Sequence, residues 1–314
     1  MRIISLLASG TELVCELGAG HQLIGRSHEC NHPEWVTLLP SVTRPAFLTD
    51  QDSAAIDAEV RRRVRNGEPM YDVDAERISH LQPDVMITQQ HCRVCAVSPA
   101  DFPMCKSGDA GDIAAQTLTL EANDLEAIFA GFRQVADAIG RTQQGYDLIE
   151  QYRQRLAALP GPDPAGPRVA IIEWADPLFT CGNWVPQLIE QAGGRPVLCH
   201  AGERSGTICW SDLLEADPDW IILAPCGYPL ARACAELPLL QTQPGWDELA
   251  AIRHGRIAIA DGDRYFNRSG PSIIDTAEML AEIMHGLVPQ GRHSTRGVTW
   301  IGWTEIEQNR AASL

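Results

Sequence analysis

DLEAIFAGFRQVADAIG (124–140) and QQGYDLIEQYRQRLAAL (143–159) stand next to each other in mid-chain, separated by a short break near Gly140. Apolar residues recur in both with a period near 3.6 residues rather than 2, which predicts two helical stretches. Joined end to end they would span on the order of 50 Å, at about 1.5 Å per residue. PGPDPAGP (160–167) stops them, because it is too rich in Pro and Gly to stay helical. A long helical element leaving one lobe and entering another acts as a rigid spine. The expected organisation is an N-terminal α/β lobe (1–120), a connecting helical spine (121–160), a C-terminal α/β lobe (161–288) and a tail (289–314).

Both flanking regions read as repeated strand-to-helix units. Short apolar runs at Arg2–Leu7 and Asp84–Thr88 predict strands of the first lobe, and Gln116–Leu120 reads as its last strand. Ser53–Asn66 predicts a helix with Gly67 as its stop. Ser9 or Thr11 is the expected cap of the first helix. In the second lobe, Arg168–Glu173, Trp220–Ala224 and Ile257–Asp261 predict strands, and Leu230–Leu237 and Ser272–Met284 predict helices. The fold class is therefore α/β: two lobes joined by a long helix, with a ligand cleft between them, since ligands of open α/β sheets bind outside the carboxyl ends of the strands.

A formal net charge of -16 with no offsetting Lys/Arg cluster excludes a nucleic-acid footprint. It also disfavours docking on an anionic membrane surface. No apolar run approaches the length of a membrane span. MRIISLL begins at once as a strand, with no basic and apolar leader before it, so the expected location is the cytoplasm. In a reducing compartment, ten cysteines read as thiols or metal ligands rather than disulfides.

Cysteines supply the first candidate site. Cys30, Cys92, Cys95 and Cys226 each follow a short apolar run, and Cys92 and Cys95 form C-x2-C, a spacing that lets two sulfurs bite one metal. Four thiolates favour zinc or a [4Fe-4S] cluster over hard cations. Redox exchange and simple lining of a ligand cleft are the alternatives. Cys181 is the reserve ligand, and Cys105, Cys199, Cys209 and Cys234 rank lower. His28, His32 and His91 are able to replace a thiol, or to give an axial nitrogen to a corrinoid cobalt or a haem iron.

Aromatics at strand exits supply the second. Trp174, Trp184, Tyr228, Tyr265 and Phe266 offer the large apolar faces that a flat macrocycle requires. Asn267 and Arg268 on one turn, with Arg26 and Arg44 from the first lobe, are placed to hold amide or carboxylate substituents. Glu12 reads as first-turn stabilisation of its helix. Asp261 and Asp263 read as turn residues. G-x-S-x-G, H-E-x-x-H and G-x-x-x-x-G-K-[ST] are all absent, so no residue is assigned a catalytic role and the chain is not read as an enzyme.

SLLASGTELVCELG (5–18), LQPDVMITQ (81–89), EADPDWIILAPCG (215–227) and WDELAAIRHGRIAIAD (246–261) carry a family likeness. The chain resembles the periplasmic binding proteins for iron-siderophore and vitamin B12. Within them it is most similar to a cytoplasmic-looking, cysteine-containing cobalamin-binding subgroup, through Ser27–Asn31, Cys92–Val97, Ala224–Gly227 and Tyr265–Pro271. Ala8 departs from the pattern, where Pro is usual. The resemblance implies two lobes on a rigid helix with slight hinge motion, and a corrinoid (cobalamin-like) ligand in the cleft. The rival expectation is an iron–sulfur or zinc protein on the same scaffold, with a sensing, delivery or redox role.

Overall fold

The computed structural model describes every residue except 91–93, 95, 99–100, 102–114 and 313–314, with the backbone alone at 309–312. The chain is α/β throughout and forms two units. Unit 1 is Met1–Gln151 with Ser269–Pro271, and unit 2 is Tyr152–Arg268 with Ser272–Leu314. No helix among the described residues is long and apolar enough to cross a membrane.

Unit 1 runs β1 (Ile3–Ser5), α1 (Ala8–Glu16), β2 (Leu23–Arg26), β3 (Thr43–Pro45), α2 (Ser53–Asn66), β4 (Tyr71–Val73), α3 (Ala75–Leu81), β5 (Val85–Gln89), β6 (Gln116–Leu120), α4 (Leu125–Ala138) and the start of α5 (Thr142–Ala157). Its sheet has the order β2-β1-β5-β6, with every neighbouring pair parallel. Parallel neighbours need crossovers, and these carry the helices. β3 and β4 pair antiparallel as a separate ribbon.

Local chemistry sets the helix ends. Asp52 accepts from the Ala55 amide at 2.8 Å, and Gly67, at φ 66°, ends α2 in the left-handed conformation. Asp74 and Asp124 cap α3 and α4 in the same way. The expected cap at Ser9 or Thr11 gives way to an earlier start. Leu7 is the N-cap of α1, and both hydroxyl residues are buried inside the helix. Glu12 is buried beyond the first turn, so the first-turn reading of its charge does not hold. Gly10 lets α1 lie directly on β5, because an added Cβ would stand 2.7 Å from a methyl of Ile87. Ile4, Leu6, Val42, Met70, Tyr71, Ile78, Met86 and Val97 form one buried cluster behind the sheet.

The two central helices are separate elements. Gly140 has φ 69° and the Arg141 amide returns to the Ala136 carbonyl at 2.7 Å, which closes α4 before α5 begins. The chain passes from unit 1 to unit 2 within α5, after Gln151.

Unit 2 continues with β7 (Arg168–Trp174), β8 (Phe179–Thr180), α6 (Val185–Gln191), β9 (Arg195–Pro196), β10 (Gly206–Thr207), α7 (Trp210–Ala216), β11 (Trp220–Leu223), α8 (Leu230–Gln241), α9 (Ala250–Arg253), β12 (Ile257–Ala260), α10 (Ser272–His285), β13 (Trp300–Gly302) and α11 (Trp303–Ala312). β7, β11 and β12 are the parallel centre of a mixed sheet ordered β10-β8-β7-β11-β12-β13, with β9 also paired to β7. Ile171, Ile172, Ile221, Ile222 and Leu223 are fully buried, as strands covered on both faces require. α10 is buried over Ser272–Met284 except at the half-exposed Asp275, two glutamates included. Arg155 meets Glu278 with two bonds of 2.8 Å, and Ser294, Thr295 and Trp300 donate to Glu282. Both buried carboxylates are thereby compensated.

Residues 289–314, expected as a tail, contain β13 and α11. β13 pairs antiparallel with β12 and protects the sheet edge, and Trp300 is buried. α8 also runs beyond its expected end, carrying Pro238 inside it and closing at Gln241.

Candidate functional site

In both units the candidate residues collect where parallel strands end. In unit 1 these are the segments after β1 and β2. Arg26 donates to the carbonyls of Ser27 (2.9 Å), His28 (3.3 Å) and Thr37 (3.1 Å), so its guanidinium pins the loop that carries His28. Arg44 forms an exposed ion pair with Asp72 at 2.9 Å. Cys30 is fully buried. Its Sγ accepts from the Thr11 hydroxyl at 2.9 Å and lies 3.7 Å from the Ser5 carbonyl, the setting of a satisfied core thiol.

Of the histidines expected to ligate a metal, His28 and His32 are described, both half-buried in the segment after β2. Burial, with a further contribution from Arg26, pushes the His28 pKa down to about 4, so the imidazole is neutral at physiological pH. The Thr43 hydroxyl donates to Ser27 Oγ at 3.1 Å and accepts from the His28 amide at 3.0 Å. It lies 2.8 Å from His28 Nδ1 and, its own proton being committed, accepts there too. Nδ1 thus stands within reach of the Thr43 and Ser27 hydroxyls, and Nε2 lies 3.9 Å from the Glu29 carboxylate.

In unit 2, β7 ends in Glu173 and Trp174. The Trp174 indole is partly exposed, donates to the Asp176 carbonyl at 3.1 Å and meets the Tyr228 ring edge-on, with centroids 5.2 Å apart. Behind it, the Arg232 guanidinium lies 3.7 Å from the Tyr228 centroid and donates to the Tyr228 hydroxyl at 3.0 Å. Tyr228 is 2% exposed, Trp184 5%, Tyr265 7% and Phe266 0%, so these four frame the edge from within and Trp174 alone of the five offers an indole face. Asn267 donates to the carbonyls of Gly262 (2.7 Å) and Ala224 (3.4 Å), tying the turn after β12 to the turn after β11. Arg268 is buried on Asp263 at 3.0 Å, and Asp261 caps its own turn by accepting from the Arg264 amide. The turns are thus built by the residues expected to touch ligand.

Glu173 is the group that sequence reasoning missed. It is buried, and burial pushes its pKa up to about 7, opposed by the Ser205 hydroxyl that donates to it at 2.6 Å. One acidic residue at the end of the run RVAIIEW carries no pattern that marks it.

The expected four-cysteine centre is corrected. Among the described residues, no group of three or more His, Cys, Asp or Glu is placed to hold a metal ion, which overturns the zinc and iron–sulfur readings there. Cys30 is spent on Thr11 and Ser5, while Cys226 lies half-buried after β11. Cys92, Cys95, Cys105 and His91 lie outside the described residues.

Residues 3–263 match the family described as Periplasmic binding protein. The chain belongs to that family. Over 294 residues it is 20% identical to an uncharacterized ABC transporter substrate-binding lipoprotein, YvrC, of Bacillus subtilis (strain 168), covering 90% of this chain and 80% of that protein. A periplasmic heme binding protein from Pseudomonas aeruginosa shares its fold, with TM-score 0.65, 22% identity and coverage of 92% and 94% of the two chains. So does the periplasmic vitamin B12 binding protein BtuF of Vibrio cholerae, with TM-score 0.59, 16% identity and coverage of 90% and 96%. These findings overturn the cytoplasmic expectation, and with it the cytoplasmic subgroup: the family is a periplasmic one, and the relatives are described as periplasmic or as a lipoprotein. Family membership assigns the chain to ligand binding, not catalysis.

Proposed function

We propose that this periplasmic binding protein captures a corrinoid, a tetrapyrrole-derived metal macrocycle, against the Trp174 edge of unit 2. The observation that carries the proposal is the part-exposed Trp174 indole, fixed by the Asp176 carbonyl and by Tyr228, whose own ring is clamped by Arg232. A flat apolar ligand gains most from a rigid aromatic surface, because no side-chain freedom is lost on binding. Structural relatives named for heme and for vitamin B12 support a ligand of this shape. The description of the Bacillus relative supports delivery of the ligand to an ABC transporter.

Calorimetric titration with cobinamide and cyanocobalamin tests the assignment. Trp174→Ala is expected to weaken binding at least about tenfold, about 1.4 kcal/mol or more, in the range of an aromatic anchor. Its thermal unfolding is expected to stay near that of the unaltered protein, since the indole is not core. Wild-type affinity in Trp174→Ala would remove the ligand from this edge.

A further inference from the structure

Cys181 and Cys199 lie in unit 2, on either side of α6. Their Sγ atoms are 3.3 Å apart, with Cys181 1% and Cys199 8% exposed. Cys181 follows β8 directly, and its amide bonds to the Ile171 carbonyl of β7 at 3.2 Å. Cys199 follows β9, whose strand also pairs with β7, and Leu198 before it has φ 66°. Both sulfurs are therefore carried on backbone anchored to the strand that ends in Glu173 and Trp174. A disulfide needs the sulfurs at about 2.05 Å, a short step from the present separation.

We propose that Cys181 and Cys199 form a disulfide that fastens the segment around α6 to the Trp174 edge. The periplasm, where this family works, is oxidising and lets such bonds persist. The reaction is thiol–disulfide exchange. One cysteine thiolate attacks an external disulfide such as oxidised glutathione, releasing one reduced glutathione and forming a mixed disulfide. The second cysteine then displaces the other glutathione, so two protein thiols lose two electrons and two protons to yield one S–S bond and two reduced glutathiones. The hydrogen bond to Cys199, and then burial, hold the Cys181 thiol well above its ordinary pKa. Exchange is accordingly slow in the folded protein, and the bond is set as the chain folds.

The test uses the full chain refolded in a reduced/oxidised glutathione buffer, alkylated with iodoacetamide and digested, with and without prior dithiothreitol. Peptides bearing Cys181 and Cys199 are expected to appear linked and unalkylated until reduced. Thermal unfolding supplies a second readout. Dithiothreitol is expected to lower the Tm of the wild type by about 5–10 °C, given the loop the bond closes. That shift is expected to shrink in the Cys181→Ala/Cys199→Ala variant, which lacks only this pair. Alkylation of both cysteines without reduction, linkage of either to a different cysteine, or an equal shift in wild type and variant would each overturn the proposal.

Discussion

Gly262→Ala is expected to destabilise unit 2 by on the order of 4 kcal/mol. The backbone amide of Gly262 donates to the Tyr228 carbonyl at 3.0 Å, which brings the turn after β12 against the turn after β11. An added Cβ would collide with the Pro225 carbonyl oxygen and stand 2.7 Å from the carbonyl carbon and oxygen of Ala224. All of these are backbone atoms, so no rotamer relieves the clash, and the two turns must separate. Differential scanning calorimetry is expected to show a fall in Tm of about 10 °C or more. Gly227→Ala, at φ 73° with open space around it, is the control: its cost is backbone strain alone, about 1 kcal/mol. A Tm for Gly262→Ala equal to that of the control would contradict the close approach. Because the displaced turn carries Tyr228, ligand affinity is expected to fall together with stability.

Glu173→Gln is expected to stabilise the protein above neutral pH and to be neutral in acid. The carboxyl has a pKa of about 7 in the folded chain against an ordinary value of 4.5. Below the ordinary value both states hold the proton and Glu173 costs nothing. As pH rises toward 7 the unfolded state loses its proton first, so stability falls, by about 3 kcal/mol in total at about 1.4 kcal/mol per pH unit. Glutamine keeps an acceptor for the Ser205 hydroxyl and never ionises. Urea unfolding at pH 4 and pH 8 reads the difference. A gain of similar size at both pH values, or none at pH 8, would show that burial does not raise the Glu173 pKa.

Most elements of the fold were legible because their ends are marked by chemistry. Ser53–Asn66 is bracketed by an aspartate and a glycine, and the observed helix has those limits. The apolar runs of β5 and β7 likewise read directly as strands. α8 continues past its expected end at Leu237 through Pro238 to Gln241, because the burial of Leu237 and Leu240 outweighs one missing amide. β13 was illegible: three residues held by pairing to β12 and by a Trp300 bond to Glu282 leave no periodicity.

The strand ends after β7, β11 and β12 that carry the candidate residues were legible as strand ends. Four of the five aromatics there are buried, since sequence does not say which face of a turn meets solvent. The cysteine reading relied on spacing and strand ends. The pair that approaches within the described residues, Cys181 with Cys199, is joined by the pairing of β8 and β9 to β7, a relation invisible along the chain. The cytoplasmic expectation failed because it was drawn from the first residues alone, while family membership is written across residues 3–263.

Absorbance difference spectroscopy of the purified protein tests the central claim most directly, with cyanocobalamin, cobinamide, hemin and a ferric siderophore titrated in parallel. The expected result is a saturable, one-to-one spectral change with a corrinoid, at a Kd of about 1 μM or tighter. Saturation with hemin alone would assign the Trp174 edge to porphyrins and contradict the corrinoid assignment, and no change with either class of macrocycle would contradict the proposed function altogether.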